Sequence, residues 1–171
     1  TSYRDANGFD VGSAHTTGNV TLQNAGAVTQ SGTILAAGLE LLGSGSYALT
    51  STGNLVTTLA GNTTNSVDFA NSAGLSVTGI TTSNQPVTIT ATSGNLTVGG
   101  NITAGTGDVN LTAPNISITS GGVPTVVSGD IVSLKATQST TGYITMPVST
   151  YSLSISALSG VELIADSMTL P

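Results

Sequence analysis

The sequence predicts an all-β chain wound as a parallel β-helix, with three short strands in each coil of about 20 residues. Three observations carry that expectation. Val67-Asp68-Phe69, Leu75-Ser76-Val77 and Ile80 are followed by Val87-Thr88-Ile89, Leu96-Thr97-Val98 and Ile102. Val109-Asn110-Leu111, Ile116-Ser117-Ile118 and Val123 come next, so the triplet returns every 20 to 22 residues. Within each segment apolar and polar residues alternate with period 2, as in a strand with one buried face. The segments are separated by Gly, Asn, Ser and Thr, the residues of tight turns.

Composition agrees with a thin β-rich body. Of 171 residues only 6% are charged, against about 25% in ordinary globular chains. Hydrophobic residues make up 38%, too many for a disordered chain of this low charge. The net charge is −6, and the only cations are Arg4 and Lys135. A nucleic-acid partner needs a basic stripe to displace phosphate counterions, and two cations cannot form one. No apolar run reaches the roughly 18 residues of a membrane-spanning helix, so membrane insertion by a helix is not expected. Cysteine is absent, which excludes a disulfide framework. The first residues, Thr1-Ser2-Tyr3-Arg4-Asp5, lack an initiator Met and the basic and apolar regions of a signal peptide. They read as the start of a processed product or of a piece of a longer chain.

In chain order, residues 1–18 are weakly patterned and are expected to form an irregular lead-in, with a tight turn at Asn7-Gly8. Coils are expected over 19–147. Val20-Thr21-Leu22 and Ala27-Val28-Thr29 read as the first strands. The run Ile34 to Leu42 has helix-forming Leu and Ala. Gly38 at its centre and Gly43-Ser44-Gly45 after it argue for strand instead. One corner of each coil is expected at Asn19, Gly38, Asn54, Gly74, Asn95 and Asn115, spaced by 19, 16, 20, 21 and 20 residues. Asn and Gly tolerate the positive φ of a sharp bend, where a β-branched residue would be strained. Pro114 and Pro124 read as corners, since proline cannot donate to a ladder. From 148 to 171 the alternation lengthens. Tyr151, Leu153, Ile155, Val161 and Leu163 read as longer strands able to pair with a neighbouring chain.

The segments Thr52-Gly53-Asn54-Leu55-Val56, Ala73-Gly74-Leu75-Ser76-Val77, Ser93-Gly94-Asn95-Leu96-Thr97-Val98 and Gly107-Asp108-Val109-Asn110-Leu111 resemble the repeats of filamentous-haemagglutinin-type exoproteins. These are large bacterial surface or secreted proteins, exported by two-partner secretion or as autotransporters. The resemblance spans roughly residues 19–119. It implies a right-handed parallel β-helix and a role in adhesion, aggregation or biofilm structure. The secretion domain of such proteins is not evident at this N-terminus, and the last quarter departs from the repeats.

Candidate chemistry is sparse. A polysaccharide-active β-helix would gather acids and cations on one face, and glycoside hydrolysis needs paired carboxylates. The nearest pair is Asp68 and Asp108, two coils apart and out of phase. At about 4.8 Å per coil they stand at least roughly 9–10 Å apart, so no enzymatic activity is expected. Gly105-Thr106-Gly107-Asp108 is one partial copy of a calcium-binding repeat, and calcium wants six to eight oxygens. The lone His15 has no converging ligands in its neighbourhood of Thr16, Thr17 and Gly18. Neither metal nor cofactor is expected. Six Asn-x-Ser/Thr sequons, at Asn19, Asn62, Asn95, Asn101, Asn110 and Asn115, make glycosylation chemically feasible. The expectation is therefore an extracellular or cell-surface structural and adhesive segment. Its expected partners are further coils of the same polypeptide, other copies of itself, or surface glycans. The alternatives are a self-assembling surface filament subunit and a polysaccharide-active β-helix enzyme.

Overall fold

The computed structural model describes residues 1–119 and 125–138 in full, together with the backbone of three further strands as far as Thr169. The described residues hold nineteen strands and no helix. The first coil contains β1 (Ser2–Asp5), β2 (Gly8–Val11) and β3 (Ala14–His15). Next come β4 (Asn19–Asn24), β5 (Ala27–Gln30), β6 (Ile34–Gly43), β7 (Tyr47–Leu49), β8 (Leu55–Thr63) and β9 (Val67–Asn71). The middle holds β10 (Leu75–Thr81), β11 (Val87–Ala91), β12 (Asn95–Val98), β13 (Ile102–Thr103), β14 (Val109–Ala113) and β15 (Asn115–Ile118). The last are β16 (Val126–Ala136), β17 (Tyr143–Thr145), β18 (Ser154–Ile164) and β19 (Ser167–Thr169). The strands pair in parallel between successive coils, giving a β-solenoid of about six turns of roughly 20 residues.

The register stacks like on like. Val28, Tyr47, Val67, Val87, Val109 and Val132 form one inward column. A second runs through Leu49, Phe69, Ile89, Leu111 and Leu134. On another side, Leu75, Leu96 and Ile116 stack, as do Val77, Val98 and Ile118. These side chains are all buried, and a fully buried aliphatic side chain stabilises by about 1.5–3 kcal/mol. The residues between them point outward, as period 2 demands. The helix-tempting run is β6, which pairs with β3 and β4 on one side and β8 on the other. Interior positions such as Ile34, Leu39 and Leu41 hold it as strand, which overrides local helix propensity.

Residues 1–18 are not an irregular lead-in. They form a coil whose strands lie in register with β4, β5 and β6. Its period was hard to read because only Val11 and Ala14 are buried there, while β1 is exposed throughout. Parallel pairing also occurs beyond residue 147, where β18 pairs with β16 and β19 with β17.

Glycine has a second use beyond turn dihedrals. Gly32 and Gly45 do not have positive φ. A Cβ on either would overlap a backbone carbonyl oxygen of the coil below, that of Gly12 and Gly26 respectively. Turns stacked this closely leave no room for a side chain.

Three substitutions check this packing by chemical denaturation. Leu96, wholly buried, is expected to cost about 2–5 kcal/mol on change to Ala. Its outward neighbour Thr97 is expected to cost under about 1 kcal/mol. Gly45→Ala is expected to destabilise by about 1–3 kcal/mol, as overpacking does. A neutral Gly45→Ala would mean that the turns are not in contact.

Candidate functional surface

The six expected corner residues are not at one corner. Asn19 pairs with Gly38, which pairs with Thr58, and the column continues through Ser76, Thr97 and Ser117. Asn95 pairs with Asn115 two residues earlier in the strand, and Gly74 precedes Leu75, the partner of Leu96. Asn54 lies elsewhere again, beside Ile34, whose backbone N–H donates to Asn54 Oδ1 at 2.8 Å. None of the six has a positive φ; Asn84, at φ 59°, is the non-glycine residue that does among the described residues. The left-handed positions fall at Gly8, Gly43, Gly79, Gly94 and Gly105 instead. The apparent phase arose because small polar residues favour several different places around a coil.

What the Asn residues do is more varied. Asn115 Nδ2 donates to Asn95 Oδ1 at 3.0 Å and faces Gln138 Oε1 at 3.1 Å, an amide ladder along the outer wall. Asn54 is fully buried. It accepts from Gln30 Nε2 as well as Ile34, and its Nδ2 faces Leu49 O at 3.2 Å and Ala70 O at 3.0 Å. One side chain thus ties three successive coils. Asn71, also fully buried, accepts from Val56 N at 2.9 Å and donates to Val56 O at 3.0 Å. The sequence offered a signal for Asn71 that was missed: it follows Val67 and Phe69 in the inward phase.

The column from Asn19 to Ser117 lies on an outer wall built by β4, β6, β8, β10, β12 and β15, about 24 Å long at about 4.8 Å per coil. Two shallow hollows open on it. One, of about 270 Å³, is lined by residues including Asn19, Gly38, Glu40, Thr58 and Thr78. The other, of about 420 Å³, is lined by residues including Thr57, Gly74, Ser76, Asn95 and Thr97. Thr21 donates to Glu40 at 3.1 Å. The wall is a field of hydroxyls and amides, with Glu40 the charged group in these hollows.

The acids considered for chemistry are separate. Asp68 aligns with Thr88, which aligns with Asn110. The Asp68 side chain is exposed, and partial desolvation between the stacked coils raises its carboxyl above the ordinary value of 3.8. Asp108 Oδ1 accepts the N–H of Ile131 at 3.2 Å, which ties the partial glycine-rich motif to the next coil. His15 Nε2 lies 2.9 Å from Thr33 Oγ1. No group of three or more His, Cys, Asp or Glu side chains gathers as a metal cluster among the described residues. Of the expected assembly segment, Tyr151 and Leu153 lie outside the described residues. Ile155, Val161 and Leu163 fall on β18, in register with Val127, Val132 and Leu134.

No family model matches the chain, and no curated protein or solved structure does either.

Asn71→Ala is expected to destabilise by at least about 1–3 kcal/mol, because it orphans buried backbone groups of Val56. Thermal melting measures this, and a neutral variant would show that the clamp is dispensable. Asp68 gives a pH test. Its raised folded pKa means the fold binds that proton more tightly than the unfolded chain does. The resulting stabilisation is full below 3.8 and is lost as pH rises through the folded value. Asp68→Asn is therefore expected to melt above the parent at pH 7, with the gap closing as pH falls through the folded value and closed below 3.8.

Proposed function

We propose that this chain is a non-enzymatic structural and adhesive rod, a β-solenoid segment of a bacterial surface or secreted exoprotein. The observation that carries the reading is the outer wall, where small polar side chains, interrupted at Gly38, recur along one column from Asn19 to Ser117. One hydroxyl or amide binds weakly. A row of them on a stiff support binds by many contacts at once, without a new interaction at any single site. The near absence of cations suits neutral hydroxyl-rich partners such as surface glycans, rather than polyanions. The resemblance of residues 19–119 to filamentous-haemagglutinin-type repeats points the same way.

End-to-end assembly is a second reading, favoured by the first coil. The described partners of β1, β2 and β3 all lie on one side, in β4, β5 and β6. Tyr3, in register with the buried Leu22, is 43% exposed. Such an edge accepts further parallel strands, from more coils or from another copy. Head-to-tail contact of identical chains propagates without closing.

Electron microscopy and sedimentation at two concentrations test both. Rods that bind neutral glycan-coated surfaces, with binding weakened when Thr58, Ser76 and Thr97 are changed to Ala, are the expected result. Absence of binding to every surface would remove the adhesive reading. Tyr3→Lys is expected to reduce end-to-end growth at high concentration. Equal, monodisperse sedimentation of parent and variant would remove assembly through this edge.

A further inference from the structure

Three Asn side chains occupy inward positions deep in the coils, and one of them is unlike the others. Asn54 and Asn71 have both amide atoms engaged by the protein. Asn24 follows Val20 and Leu22 in the inward phase of β4 and is 2% exposed. Neither its Oδ1 nor its Nδ2 has a hydrogen-bond partner in the protein. A buried amide left dry is rare, because its lost hydration is not replaced.

The neighbourhood shows why the protein does not supply partners. In register below Asn24 is Asp5, whose Oδ1 accepts the Asn7 N–H at 2.7 Å. In register above is Gly43, which has no side chain and whose positive φ disfavours one. One coil higher Thr63 satisfies itself, donating to Gly45 O at 2.6 Å. The nearby Tyr47 hydroxyl is spent on the carbonyls of Leu22 and Leu42. The same corner carries a hollow of about 410 Å³, lined by residues including Arg4, Asp5, Asn24, Gly43 and Ser44.

We infer that Asn24 is the anchor of an internal hydration site, holding ordered water at the corner between the first and third coils. The ligand is water because the site asks for a small group that both donates and accepts. Water donates to Oδ1 and accepts from Nδ2, and the adjoining hollow is large enough to admit it. Buried waters typically serve polar groups that the chain leaves unsatisfied.

Water-to-protein NOE measurement on the labelled full chain tests this directly. Cross-peaks of the sign given by long-lived water are expected at the Asn24 side-chain amide and not at those of Asn54 or Asn71. Oxygen-17 relaxation dispersion is expected to show a smaller long-lived water population in Asn24→Leu than in the parent. Absence of water cross-peaks at the parent's Asn24 amide overturns the inference, whether or not the Leu variant folds. So does an unchanged population of long-lived water in a folded Asn24→Leu.

Discussion

The constraint on which the structure depends is the parallel ladder between coils. It sets each residue about 4.8 Å from the one a coil earlier. Like therefore meets like in columns. Apolar columns such as Val67, Val87, Val109 and Val132 make a continuous core. The same spacing penalises charge. Two like charges at this distance repel by about 1 kcal/mol in water and about 3–4 kcal/mol at an effective dielectric of 20. The described charges are accordingly interleaved with neutral groups. Asp10 stacks on Thr29, Glu40 between Thr21 and Ala60, Asp68 between Ala48 and Thr88, and Lys135 on Thr112. A charged fraction of 6% is thus a consequence of the architecture.

The fold was legible because two periods coincide in the middle of the chain. Alternation of Leu96, Thr97 and Val98 marks the strand, and its return at Ile116, Ser117 and Ile118 marks the coil. Both depend on side chains and survive in the sequence. The placement of corners depends on backbone dihedrals and on clearance between turns, which the sequence encodes only through residues with several other uses. Asn95 in an amide ladder, Asn54 in the core and Asn84 at positive φ are one residue type in three roles. The spacing of Asn and Gly could not separate these. The first coil was illegible for a different reason: it carries few inward apolar residues, with only Val11 and Ala14 buried and β1 exposed throughout.

The buried Asn side chains show how an otherwise uniform stack acquires particular places. In a ladder of equivalent strands a slip by a whole coil would change little. Asn54 is satisfied by groups specific to its neighbours, Gln30 Nε2 below and Ala70 O above. Misplaced, it would leave a polar amide in a hydrocarbon core. It therefore acts on register as a buried polar residue does in a coiled coil. The outer wall has the opposite character. Its Ser, Thr and Asn are interchangeable in outline, and no single one of them fixes the register.

Dependence of each coil on its neighbours alone also bears on how such a chain changes over generations. Duplication or loss of a segment of about 20 residues, by recombination between similar stretches of gene, alters the rod by one whole step and leaves the remaining ladders intact. Between Gln30 and Ala70 that freedom is curtailed, because Asn54 fixes the order of three coils. Beyond Asn71 no buried Asn spans the β11, β12 and β14 stacks among the described side chains, and the Asn95, Asn115 and Gln138 ladder there lies on the outer wall. Length is thus heritable as a count, with one stretch of the molecule held constant while the rest can be lengthened or trimmed.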